Sequence, residues 1–159
     1  MTPQAAGGIT VGAVLAGGTG VGAYMLATRA GDPVTLKQVL ERVNNDDYRG
    51  NTKLVNQGTN KDFLVANVQE NQDWWNARFE KYKSSQTNKL DSPASDNFQQ
   101  VNKGYHNTDA NALNIVCDTA YKADKSGFAL DTGTGEDEKN YRKDVEKFCT
   151  VKGEEKLTV

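Results

Sequence analysis

Residues Ala5 to Thr28, AAGGITVGAVLAGGTGVGAYMLAT, carry no charged side chain. As a helix rising about 1.5 Å per residue, such a run covers about 36 Å, enough to cross the roughly 30 Å hydrocarbon core of a bilayer. The rest of the chain is polar and charged. This contrast predicts an N-terminal transmembrane anchor over residues 1–30 and one small domain over residues 31–159.

The anchor is rich in glycine, and in water each glycine weakens a helix by about 1 kcal/mol relative to alanine. A free-standing soluble helix is therefore disfavoured. In lipid the balance changes, because an unpaired backbone group there costs several kcal/mol and drives the chain into a helix. Gly8, Gly12, Ala16 and Gly20 recur every four residues along one side, with Val11, Val14, Val21 and Met25 on the other. Small residues at that interval let two membrane helices approach closely, so a homodimer through this stripe is one expectation. A Gly/Ala-rich anchor with no further role is the other.

Two different uses of the same stretch fit less well. A cleaved signal peptide starts with positive charge, and no Lys or Arg precedes Arg29. The loop Gly18-Thr-Gly-Val-Gly22 resembles a dinucleotide-binding turn after a strand. That turn needs a following helix, a second strand and an acidic residue about twenty positions on, whereas Arg29, Gly31 and Pro33 break the chain here.

The formal net charge is −2 and the isoelectric point about 5.4. Phosphate binding needs a basic face, so nucleic acid is not an expected partner. Lysine and asparagine are abundant, in keeping with an A/T-rich genome. Along the chain, Leu36, Val39, Leu40 and Val43 predict a helix over Val34 to Val43. Asn44 to Thr59 reads as a polar connection with room for a short strand. From Lys61, the residues Leu64, Val68, Trp75, Phe79 and Tyr82 fall on one helical side. Asn71 or Asp73 is placed to cap a second helix there.

Ser84 to Ser95 reads as a loop, with Phe98, Val101 and Tyr105 marking a short helix after it. A helix over Asp109 to Lys122 buries Ala112, Leu113, Val116, Cys117 and Ala120. Thr134 and Asp137 fit a capping box before a last helix marked by Tyr141, Val145 and Phe148. Residues after Gly153 are expected to fray. The fold class is thus mostly α: a membrane helix followed by a small helical bundle.

The aromatic group Trp74, Trp75, Phe79 and Tyr82 reads as core rather than a stacking platform, with Trp74 pointing to the surface. Lys81 and Lys83 read as solvated partners of Glu80. Cys117 and Cys149 both fall on inner helix faces. If the domain lies outside the cell, a bridge between them closes a loop of about 33 residues and stabilises by about 3–4 kcal/mol. Two buried reduced thiols are the alternative. His106 is the only histidine, and with no CxxC this argues against zinc and against Cys/His or Ser/His catalysis. No cofactor is expected.

One catalytic signal remains. Phe128-Ala-Leu-Asp131-Thr-Gly-Thr134 resembles the Asp-Thr-Gly motif of retroviral-type aspartic proteases, which pair two aspartates inside a β-rich shell. Here a charged helix follows instead, so a Gly/Thr loop before that helix is the favoured reading and a protease using Asp131 a distant one. Asp131, Glu136 and Glu138 do not match the ligand spacing of an EF-hand.

An uncharged Gly/Ala-rich start, Trp75-Asn-Ala-Arg78 leading to Lys81-Tyr-Lys83, and Phe148-Cys-Thr-Val151 form an arrangement found elsewhere. It is similar to that of the short membrane-anchored proteins that haemotropic mycoplasmas encode in large paralogous sets. In that family a tryptophan commonly precedes the cysteine and a proline often follows the valine. Phe148 and Lys152 stand at those positions here. The resemblance implies a wall-less bacterium with one membrane, a surface location, and a part in antigenic variation or host contact. It supplies no activity and no binding residues.

Arg29, Lys37 and Arg42 all follow the uncharged run, which by the positive-inside rule favours a cytoplasmic domain. The resemblance and a disulfide favour the outside, the placement expected here. The functional expectation is a non-enzymatic, single-pass cell-membrane protein whose outer domain meets host proteins or antibodies. A cytoplasm-facing scaffold or interaction subunit is the alternative.

Overall fold

The computed structural model describes residues 31–129 and 136–159. Among them lie six helices and no named strand. They are α1 (Leu36–Leu40), α2 (Asn60–Phe63), α3 (Gln72–Tyr82), α4 (Asp96–Gln99), α5 (Leu113–Lys122) and α6 (Glu136–Phe148). The expected mostly helical domain is present. The expected anchor, with Gly8, Gly12, Ala16 and Gly20, and the Asp131 loop with Thr134 lie outside the described residues. No described helix is long and apolar enough to cross a membrane.

The three longer helices make the core. α3 contributes Trp75 and Phe79, α5 contributes Leu113, Cys117 and Tyr121, and α6 contributes Val145 and Phe148, all buried. The predicted stripes of α3 and α6 therefore do face inward. Phe98 of α4 packs its ring 5.4 Å from that of Phe148, and Tyr82 meets Phe148 edge-on at 5.4 Å. Burying a side chain of this size contributes about 1.5–3 kcal/mol. Truncating Phe148 to alanine would cost about 3–5 kcal/mol, since a cavity would remain where three aromatic rings meet.

Between these helices runs an extended segment where the apolar spacing predicts continued helix. α2 stops at Phe63, and Leu64–Ala66 is bonded on both sides. Leu36 N–H donates to Leu64 O (2.9 Å) and Ala66 N–H to Val34 O (2.9 Å) on one side. Val65 N–H donates to Cys149 O (3.0 Å) and Val151 N–H to Phe63 O (2.9 Å) on the other. Residues distant in sequence thus supply main-chain partners that outcompete the local helix, and the β-branched Val65 and Val68 suit extended backbone. Leu64 and Val68 are buried as expected, by a different route.

Other boundaries shift for comparable reasons. α1 is shorter than Val34 to Val43, because Val34 belongs to that extended pairing and Gln38 Oε1 accepts the Thr35 N–H at 2.8 Å to start the helix. The connection 44–59 holds two 3-10 turns, Asp46–Tyr48 and Leu54–Asn56, and a single bridge from Lys53 to Asp124. α5 begins at Leu113 rather than Asp109, since Asp109 is drawn aside by an ion pair with Lys103 and Leu113 N–H bonds Lys103 O at 3.0 Å. Residues after Gly153 do not fray: Leu157 is only 3% exposed and seats in the core.

Candidate functional site

The structure brings Cys117 of α5 and Cys149 at the end of α6 together as a disulfide, with Cα atoms 5.6 Å apart and both residues fully buried. Such a bridge needs Cα atoms within about 7 Å. Tyr121, one turn beyond Cys117, donates its hydroxyl to Val65 O (2.9 Å) and Cys149 O (3.1 Å). Burial, then the Asp118 charge, raises its pKa well above the usual tyrosine value, so it stays a donor.

Arg78 closes the other side. Its guanidinium donates to Lys147 O (3.1 Å), Thr150 O (3.0 Å) and Val151 O (2.7 Å), carbonyls at the negative end of α6. It also lies over the Trp74 ring at 4.4 Å, so Trp74 is half-buried rather than free at the surface. Gly153, at φ +81°, sits so close that a Cβ there would fall 2.5 Å from Arg78 Nη1. Two short motifs far apart in sequence, around Trp75–Arg78 and Phe148–Val151, therefore meet at one junction.

The remaining polar clusters serve the architecture. Asp144 accepts from Ala94 N–H (3.0 Å), Ser95 N–H (2.7 Å) and Ser95 Oγ (2.7 Å), satisfying the start of α4. Tyr48 donates to Asp118, which also pairs with Lys122 at 2.8 Å. Exposed His106 accepts the N–H groups of Thr108 (3.1 Å) and Asp109 (2.9 Å) at Nδ1, closing its own loop. Lys83 pairs with Glu80 at 2.7 Å as expected. Glu70 differs: neither carboxylate oxygen is accessible or hydrogen-bonded, and neither is the Tyr105 hydroxyl. Burial pushes the Glu70 carboxyl up, and burial with the Glu70 charge pushes Tyr105 up.

The asparagines, which in the sequence say only that they are abundant, prove to be structural. Asn60, Asn67, Asn71 and Asn114 are at most 1% exposed. A side-chain amide presents a donor and an acceptor side by side, as a backbone edge does. Asn71 Oδ1 accepts Val34 N–H (2.8 Å) while its Nδ2 donates to Val34 O and Ala66 O (2.8 Å each), so it stands at the N-cap position of α3 as expected but its side chain makes no cap bond there. Asn114 holds His106 by N–H (3.0 Å) and C=O (2.9 Å). Asn60 holds Thr158 by N–H (2.9 Å) and C=O (2.9 Å).

The last of these joins a set of side-chain contacts between Asn60, α6 and residues 156–158. Glu146 Oε1 accepts Leu157 N–H at 3.0 Å, Arg142 donates to Leu157 O, and Lys156 reaches Glu146 Oε2 at 2.8 Å. Burial alone would raise the Glu146 carboxyl, but the bonds from Lys156, Leu157 N–H and Arg142 outweigh it and hold the group below its ordinary range. These side chains bond the backbone of Leu157 and Thr158 while the Leu157 side chain is buried in the core. Sequence reasoning missed this arrangement, because lone Leu157 has no periodic neighbours. Comparison of the chain with protein-family models, with curated proteins and with solved structures finds no match in any of them.

Proposed function

We propose that the chain is a single-span membrane protein whose disulfide-locked helical domain stands outside the cell and meets host proteins or antibodies, without a chemical step of its own. The observation that carries this reading is the Cys117–Cys149 bridge at the centre of the core. Disulfides persist in oxidising surroundings and are rare in the reducing cytosol. The uncharged run Ala5 to Thr28 supplies the anchor, and Gly8, Gly12, Ala16 and Gly20 a stripe through which two anchors pair. The resemblance to the paralogous proteins of haemotropic mycoplasmas supports the same surface role.

Arg29, Lys37 and Arg42, all after the run, favour a second reading: a cytoplasm-facing scaffold bound to membrane partners. Antibodies raised against residues 31–159 distinguish the two. On cells expressing the full chain, the surface reading expects staining without permeabilisation. Staining only after permeabilisation would establish the cytoplasmic reading instead.

A further inference from the structure

We infer that an open cavity between the end of α1 and residues 44–51 binds an acidic sugar, a ring bearing one carboxylate and several hydroxyls; this deepens the surface reading above and rests on it for its setting. The cavity measures about 340 Å³, and Asn44, Asn45, Asn51 and Asn56 line it together with Arg49 and Lys61. Small-molecule sites begin at about 300 Å³. No carboxylate is among its lining residues. The larger cleft of about 530 Å³ differs, since Asp32, Asp62 and Glu155 stand there against Lys37 and Lys152. Of the two, only the smaller offers positive charge with no acid in its lining to oppose it.

A side-chain amide presents two N–H donors and one carbonyl acceptor in a plane. Sugar hydroxyls on adjacent carbons each donate and accept, so clustered amides match them without adding charge. The cations supply the rest. A guanidinium takes a carboxylate through two parallel bonds. Arg49 has only Asp46 as its acid, at 2.8 Å with the aspartate side chain 82% exposed, a solvated pair of little net worth that a ligand carboxylate can replace. Lys61, exposed on α2, adds a second positive charge. Leu40 and Val43 line the same cavity and offer an apolar surface to the C–H face of a ring. Phosphate is ordinarily met by a helix N-terminus, whereas α1 brings its last residue, Leu40, to this cavity. That favours the singly charged carboxylate.

The walls are held in place without a ligand. Asn56 Nδ2 donates to Tyr48 O (2.7 Å) and Gly50 O (2.9 Å), Asn45 Oδ1 accepts Asp47 N–H (2.9 Å), and Arg49 donates to Asn44 Oδ1. The Tyr48 hydroxyl, bonded to Asp118, ties the same turn to α5. Groups fixed in advance lose little freedom when a ligand arrives.

The test titrates the full-length chain, isotope-labelled in detergent micelles, with the methyl glycoside of N-acetylneuraminic acid, and with methyl galactoside and sodium acetate as the neutral and the sugar-free comparisons. The acidic sugar is expected to shift the Gly50 amide and the side-chain amides of Asn44 and Asn51, well beyond either comparison. Arg49→Gln and Lys61→Glu alter exposed side chains, so each should keep the spectrum of the folded domain while weakening binding about tenfold. Equal shifts with acetate would reduce the cavity to a general anion site, and equal shifts with galactoside would remove the need for an acid; either overturns the inference. So would the absence of shifts at about 20 mM acidic sugar, or binding unchanged in both variants. Because binding is read on the purified chain and location by antibody staining of cells, failure of this site and failure of the surface reading are told apart.

Discussion

Two asparagine clamps hold the described domain near its two ends, and they differ in what stands behind them. Asn71 grips both backbone groups of Val34 where the chain enters the domain, and main-chain bonds to Leu64 and from Ala66 run alongside. Asn60 grips Thr158 in the same way, but there the backbone is held by side-chain bonds from Glu146 and Arg142 and by burial of Leu157, with no main-chain pairing alongside. The first clamp is woven into the segment that also binds Cys149 O. The second stands beside Leu157, whose side chain is buried in the core. The same amide chemistry therefore reinforces main-chain pairing at one end and replaces it at the other.

Reducing the disulfide should have the largest effect. Opening a loop of about 33 residues removes about 3–4 kcal/mol, a drop in Tm of ten degrees or more for a domain of this size, in thermal unfolding with and without reductant. If the two clamps differ as described, reduction should weaken Val34 pairing and leave the Asn60–Thr158 contact to melt with or before it. Next is Asn71→Ala, which strips three buried hydrogen bonds and leaves main-chain groups unpaired, a loss of about 2–3 kcal/mol in denaturant unfolding. Asn60→Ala also strips three hydrogen bonds, but only the one to Leu54 O is buried and the two to Thr158 are part-buried, so it should cost somewhat less, about 1–2 kcal/mol, and deprotect the Thr158 amide in hydrogen exchange. Equal costs for the two variants would erase the distinction between the two clamps.

Acid should separate the ends without mutation. The folded-state pKa of Glu146 is depressed below the ordinary value of 4.5, so its contribution is complete above that value and is lost as pH falls through the lower folded pKa. Its ion-pair partners are Arg142 and Lys156. Amide signals of Leu157 and Thr158 should therefore shift with acid before those of Val34 and Ala66. Glu70→Gln is expected to give the smallest effect. Glu70 has a raised folded-state pKa, so the native state loses stability as pH rises from the unfolded-state carboxyl value through the folded one. The glutamine variant should be slightly more stable than wild type at pH 7, and that advantage should vanish in acid, as read by Tm across pH.

Much of the core was legible because its large side chains recur at helical spacing: Trp75 and Phe79 on α3, Val145 and Phe148 on α6. Leu64 and Val68 share that spacing, yet lie on extended backbone, since the partners that decide the matter, Leu36, Val34 and Cys149, are remote in sequence. Asparagine favours turns and caps by local propensity, so nothing at Asn60, Asn71 or Asn114 announces burial against a backbone edge. The Asn60–Thr158 contact was illegible for the same reason: it joins residues nearly a hundred positions apart through amide groups rather than an apolar pattern.

The central claim, a disulfide-locked domain outside the cell, is tested most directly by labelling intact cells with a membrane-impermeant maleimide, before and after reduction, scored at Cys117 and Cys149 with a denatured control. Labelling that appears only after reduction is the predicted result. Labelling of both thiols only after lysis, with no reductant needed, would contradict it and place a reduced domain in the cytoplasm.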